Sequence, residues 1–213
     1  MHKSQIITTI INPQPENRCD HDSFFSFNRL PSSVILLMTT AKLLIICYNK
    51  TAFMSEKKLK VGWFSFTCCE DSTILFTELL NDHYQTWLPK LQFVHARVLQ
   101  TKNIWGPMDV AFVEGAISSD SQAETLKKIR QLATKVVAIG ACAVTGRPSG
   151  QRNDFPPPLQ QEIDSILKKF NYGKKVKKLD ELIKVDAAVP GCPMNEQKFI
   201  EILNLYLTEF AIN

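Results

Sequence analysis

The stretch KVVAIGACAVTG, residues 135–146, opens on a short run of β-branched and small apolar residues and closes on a glycine-bounded segment around Cys142. Its first half, Lys135–Gly140, has the pattern of a strand buried on both faces. Upstream, Asp120–Ala133 predicts a helix that exposes Lys127, Lys128 and Arg130, and Val110–Glu114 a strand. Further out, Leu59–Phe66 and Gln92–Leu99 predict strands. Between them, Thr73–His83 carries Ile74, Leu75, Leu79 and Leu80 at helical spacing, with Asp71 or Ser72 as its N-cap. Downstream, Leu159–Phe170 and Asn195–Phe210 predict amphipathic helices on either side of a strand at Lys184–Val189. Strands alternating with helices imply an α/β fold whose parallel sheet is covered on both faces.

Composition agrees with one ordinary domain. The chain has 213 residues, 45% of them hydrophobic and 22% charged, which are globular proportions. A net charge of +4 without a basic stripe argues against a nucleic-acid partner. The lysines at 168–169 and 174–178 read as a solvated surface.

The chain divides near Met54. Residues 1–53 are polar and bear Pro and Asn, apart from an apolar run at Val34–Tyr48. That run is shorter than the roughly 20 residues needed to span a bilayer, and Lys42 interrupts it. Neither a signal peptide nor a twin-arginine pair is evident. Residues 1–53 are therefore expected to be an N-terminal extension outside the fold, and 54–213 the functional domain. The rival reading is a peripheral anchor at Val34–Tyr48. A cytoplasmic location without membrane insertion is expected.

In an open α/β sheet, ligands gather beyond the C-terminal ends of the strands. Three segments are expected at that edge: Thr67–Ser72, Gly140–Gly146 and Pro190–Pro193. Together they bring Cys68, Cys69, Cys142 and Cys192, four of the six cysteines; Cys19 and Cys47 fall in the extension. Buried core thiols, a zinc site and an iron–sulfur cluster are the readings open to such a set. Disulfides are disfavoured in a cytosolic chain. Structural zinc usually draws on paired Cys-x-x-Cys knuckles, which are missing. A cluster is larger and suits thiolates from separate loops. Gly140 and Gly191 would let backbone approach it closely and offer N–H donors to its sulfurs.

The order CC…GACAVTG…PGCP resembles the small, electron-transferring subunit of [NiFe] hydrogenases and its relative, the 20 kDa subunit of respiratory complex I. Val61–Phe64, Asp109–Ile117, Val136–Gly146 and Val185–Pro193 are similar to the delta subunits of cytosolic hydrogenases. The resemblance implies a flavodoxin-like fold holding a single proximal [4Fe-4S] cluster. It also implies an oxidoreductase complex in which this subunit is not catalytic alone. The implied partners are a [NiFe]-type large subunit and further iron–sulfur or flavin subunits. Position by position, Cys142 and Cys192 match the third and fourth ligands. Where these hydrogenases show Cys-x-x-Cys in the first loop, this chain reads Cys69-Glu-Asp-Ser72. The tandem Cys68–Cys69, like that of the complex I subunit, then completes the set; Ser72 is the alternative ligand or a neighbour of the site. Glu70, Glu114, Gly140 and Gly191 are expected beside the ligands, with Glu114 near the subunit junction, as an N-cap or simply solvated. No cysteine follows Cys192, so one cluster is expected. Two alternatives stand: a complex I-like subunit passing electrons to quinone, and a non-redox zinc-binding or assembly module.

Overall fold

The computed structural model describes residues 57–212. The expectations for residues 1–53, including those for Cys19 and Cys47, lie outside the described residues. In chain order the elements are β1 (Leu59–Ser65), α1 (Asp71–Asp82), α2 (Tyr84–Trp87), β2 (Leu91–Ala96), β3 (Met108–Glu114), α3 (Asp120–Leu132), β4 (Ala133–Ile139), α4 (Gly140–Thr145), α5 (Pro157–Lys169), β5 (Ala187–Val189) and α6 (Glu196–Glu209). Short 3-10 turns lie at Gln151–Asp154 and Leu179–Glu181. The strands form one 5-stranded sheet in the order β2-β1-β3-β4-β5. Every neighbouring pair is parallel. This is the flavodoxin-like order, with its switch point between β1 and β3.

The side-chain period of two divides each inner strand between two cores. Leu59, Val61 and Trp63 of β1, Val110 and Phe112 of β3, and Val137 and Ile139 of β4 pack with Phe76, Leu79 and Leu80 of α1 and with Phe199, Ile202 and Leu203 of α6. Trp63 stacks on Phe76 with ring centroids 4.1 Å apart. The opposite face packs Ala111, Val113, Val136 and Ala138 against Leu126 and Ile129 of α3. With both faces covered, the strands lack the polar alternation of a half-exposed sheet.

Helix starts follow local chemistry in α3 and α6: Ser119 accepts from Gln122 N, and Asn195 from Lys198 N. Helix α1 departs from expectation. Neither Asp71 nor Ser72 caps it; the N-cap residue is Glu70, in left-handed backbone (φ 64°), and its side chain makes no cap. Ile74, expected on the core face, is exposed, and Phe76 takes its place.

Two strands are shorter than their apolar runs. β2 ends at Ala96, whose N–H donates to Asn103 Oδ1 (2.7 Å), while Leu99 N turns back to Ala96 O. β5 starts only at Ala187 because the Asp186 side chain takes the place of a strand partner. Asp186 Oδ2 accepts from Val136 N (2.8 Å) and from Arg130 Nη1 (2.5 Å). Arg130 also donates to Ala133 O and Thr134 O, so α3, β4 and β5 are tied at one corner.

Burial works to raise the Asp186 carboxyl, but the Val136 amide and the Arg130 guanidinium prevail and hold it below its ordinary 3.8. A depressed folded value contributes stability that is whole above the ordinary value and lost as pH falls through the folded one. Asp186→Asn is therefore expected to lower stability at neutral pH and to flatten its decline in acid, measured by urea unfolding between neutral pH and about pH 3.

Candidate functional site

The parallel register brings the ends of β1, β3, β4 and β5 to one rim of the sheet, and three cross-links hold the segments beyond them. After β1, Thr67 and Ala116 exchange both backbone hydrogen bonds (3.1 and 2.9 Å), binding the Cys68–Cys69 segment to the turn after β3. Gly115 makes this approach possible: it sits at φ 92°, and a Cβ there would lie 2.9 Å from the Phe66 carbonyl carbon. After β4 the chain turns into α4 rather than an irregular loop, so Cys142 occupies the first turn of a short helix. Ala141 N donates to Gly191 O at 2.6 Å, joining α4 to the Pro190–Pro193 segment. Finally, Met194 N donates to Ser72 Oγ (3.2 Å), joining that segment to α1.

Cys68, Cys69, Cys142 and Cys192 line one recess together with Ser72, Glu114, Ile139, Gly140, Ala141 and Gly191. All four cysteines are free thiols; Cys142 is buried, Cys68 half-buried, and Cys69 and Cys192 exposed. Cys142 Sγ lies 3.1 Å from Ser149 Oγ, which itself donates to Thr67 O (3.0 Å). Cys69 Sγ, a carboxylate oxygen of Asp71 and Cys192 Sγ all lie within 4.8 Å of one another. Among the described residues no three of the four sulfurs meet that spacing.

Both glycines of the recess leave room that a side chain would take. At Gly140 (φ 80°) a Cβ would stand 2.9 Å from Ser72 Oγ, and at Gly191 (φ 114°) 2.6 Å from Pro193 O. Glu70, in its strained backbone, turns the chain from the cysteine pair into α1.

Glu114, the last residue of β3, is 3% exposed and caps α1 from across the rim. Its carboxylate accepts from Ser72 N (3.2 Å), Thr73 N (3.1 Å) and Thr73 Oγ1 (2.6 Å). Thr73 Oγ1 in turn accepts from Trp63 Nε1 at 2.8 Å, linking the cap to the aromatic core. Ser72 is also buried, and its hydroxyl oxygen already accepts the Met194 amide. That bond makes Ser72 a strut between segments and leaves only part of its oxygen for any other role.

Burial first, then the Glu114 carboxylate, pushes the Cys68 thiol up to about 12. At Cys69 the Asp71 amide works to lower the thiol, but burial and the Asp71 carboxyl leave it raised. At Cys68 and Cys69 the protein alone thus disfavours the thiolate, and a cation is what would bring it out. The histidines stand elsewhere. His95 is buried against Phe64 with Nδ1 3.4 Å from Trp63 O, and His83 stacks on Trp87.

A family model described as NADH ubiquinone oxidoreductase, 20 Kd subunit, matches residues 68–206, from the first cysteine of the recess into α6. The chain belongs to that family. Among its relatives, the delta subunit of the NAD-reducing hydrogenase HoxS of Cupriavidus necator is 25% identical over 171 residues, covering 70% of this chain and 78% of that protein. A subunit of the F420-non-reducing hydrogenase vhu of Methanocaldococcus jannaschii is 30% identical over 148 residues, 63% of this chain and 51% of the relative. The delta subunit of sulfhydrogenase 2 of Pyrococcus furiosus is 24% identical over 151 residues, 68% and 60% respectively. The chain thus spans between half and three-fifths of the length of these last two. The crystal structure of an NAD+-reducing [NiFe]-hydrogenase in the H2-reduced state contains a chain of the same fold. The TM-score is 0.60 at 22% identity, covering 71% of this chain and 93% of that one. Among the described residues of this family member, no helix is long and apolar enough to cross a membrane.

Some residues that build the site carry no sequence signal of their own. Ser149 looks like any turn residue between Pro148 and Gly150, and Ala116 and Met194 contribute only backbone. Gly191 is the most constrained member of the rim. Gly191→Ala is expected to cost about 1–3 kcal/mol, because an L side chain would be strained at that φ and would press on Pro193 O. Chemical unfolding of the full chain, compared with Gly106→Ala at a roomier glycine, measures it.

Proposed function

We propose that this chain is an electron-transfer subunit of a hydrogenase-type oxidoreductase, holding one [4Fe-4S] cluster on Cys68, Cys69, Cys142 and Cys192. The observation that carries the reading is one recess lined by four free thiols that three separate segments deliver to the same rim. Thiolates delivered by separate loops suit iron–sulfur chemistry. A relative from Archaeoglobus profundus, 23% identical over 124 residues, is named as an iron-sulfur subunit of an F420-non-reducing hydrogenase.

When bound, such a cluster supplies a one-electron store. The chain's own residues determine where that store sits and how readily it is filled. The cross-links among Thr67–Ala116, Ala141–Gly191 and Met194–Ser72 hold the ligand segments in place without the metal. Exposed Cys69 and Cys192 set one side of the recess at the surface, where an electron partner can approach. The partners that fit are a [NiFe]-type large subunit carrying the substrate chemistry and further iron–sulfur or flavin subunits, assembled in the cytoplasm. A second reading, a complex I-type subunit feeding quinone, is favoured by the adjacent Cys68–Cys69 pair and by the family model.

Full-length protein produced and purified anaerobically is expected to be brown, with about four iron and four labile sulfide per chain and an EPR signal on reduction. Cys68→Ser is expected to lower the iron content, whereas Ser72→Ala leaves it unchanged. A colourless, zinc-containing protein would overturn the reading. A Cys68→Ser variant with full iron would shift the ligand set to Ser72.

A further inference from the structure

We infer that Glu114 is the residue that sets the reduction potential of the cysteine recess, holding it low by taking the positive end of α1 out of play and putting a buried negative charge in its place. The inference rests on the ligand reading above. Left alone, the first turn of α1 would present unpaired N–H groups and the positive end of the helix dipole, roughly half a unit charge. An anion in the recess would be stabilised by them. The structure instead gives those amides to a carboxylate: Ser72 N and Thr73 N both donate to Glu114 (3.2 and 3.1 Å). Glu114 is 3% exposed, no basic side chain pairs with it among the described residues, and it lines the recess beside all four cysteines. A full negative charge against half a positive one leaves the recess on the negative side.

Adding an electron beside a buried negative charge is unfavourable, and cluster potentials respond to nearby charge and hydrogen bonds. The Thr73 hydroxyl moderates the effect, since its 2.6 Å bond to Glu114 Oε2 disperses part of the charge. The two residues should therefore act with opposite sign. Glu114 acts here through its charge and through the amides that it holds.

The test is an EPR-monitored redox titration of the anaerobically purified full chain, with iron analysis of each variant. Glu114→Gln, which removes the charge and keeps the shape, is expected to raise the midpoint potential. Glu114→Asp, which keeps the charge, is expected to stay near the native value. Thr73→Val, which removes the hydroxyl donor, is expected to lower it. Equal potentials for native protein and Glu114→Gln at equal iron content would overturn the inference. If Glu114→Gln fails to fold, Thr73→Val decides by sign: an unchanged or raised potential overturns the inference. A native protein without a reducible centre would instead defeat the ligand reading itself.

Discussion

Glu114 reaches across the rim of the sheet from the end of β3 and closes the start of α1 with three hydrogen bonds. Two other features of the rim stand against that contact. Beside it, the Ser72 hydroxyl accepts the Met194 amide and so ties the segment carrying Cys192 to the same helix start. The Glu114 contact lets the chain between Cys69 and Asp71 turn through the left-handed Glu70 without a cap of its own. A helix start buried without partners is costly, by about 1 kcal/mol or more for each group left unpaired. The fold meets that need with a charged acceptor from a neighbouring strand instead of a local side chain.

The parallel sheet makes such a contact possible. Because β1, β3, β4 and β5 run the same way, the segments that follow them emerge at one rim. Thiols separated by as many as 124 positions, Cys68 and Cys192, come to share a recess without either lying in a knuckle. Glycines at 115, 140 and 191 occur where backbones must pass within contact of one another. Strands buried on both faces hold the rim while its segments carry the thiols.

Much of this was legible before folding was considered. The apolar runs around 59–65, 108–114 and 133–139 are long, β-rich and bounded, and alternate with helical periods, so the α/β class and the parallel sheet follow. The four cysteines could be assigned to one edge because three of the strand ends were readable. The ends of elements were less so. Lys184–Val185 reads as strand, yet Asp186 replaces a backbone partner with its side chain, and the ladder begins one residue later. Gly140–Gly146 reads as a glycine-bounded loop and forms α4, because its glycines stand at the two ends of a helical turn, Gly140 as first residue and Gly146 as C-cap, and not within it.

By itself the sequence determined the layer architecture, the rim to which the thiols belong and the family to which the chain is akin. Those depend on hydrophobic period and on short motifs, which are local. The tertiary structure alone decided that Glu114 caps α1, that Ser72 serves as a strut to Met194, and that Asp71 comes close to Cys69 and Cys192. Those contacts join residues 41 to 122 positions apart. Which backbone amide a carboxylate can reach is a matter of distance across the folded sheet, and no local pattern encodes it.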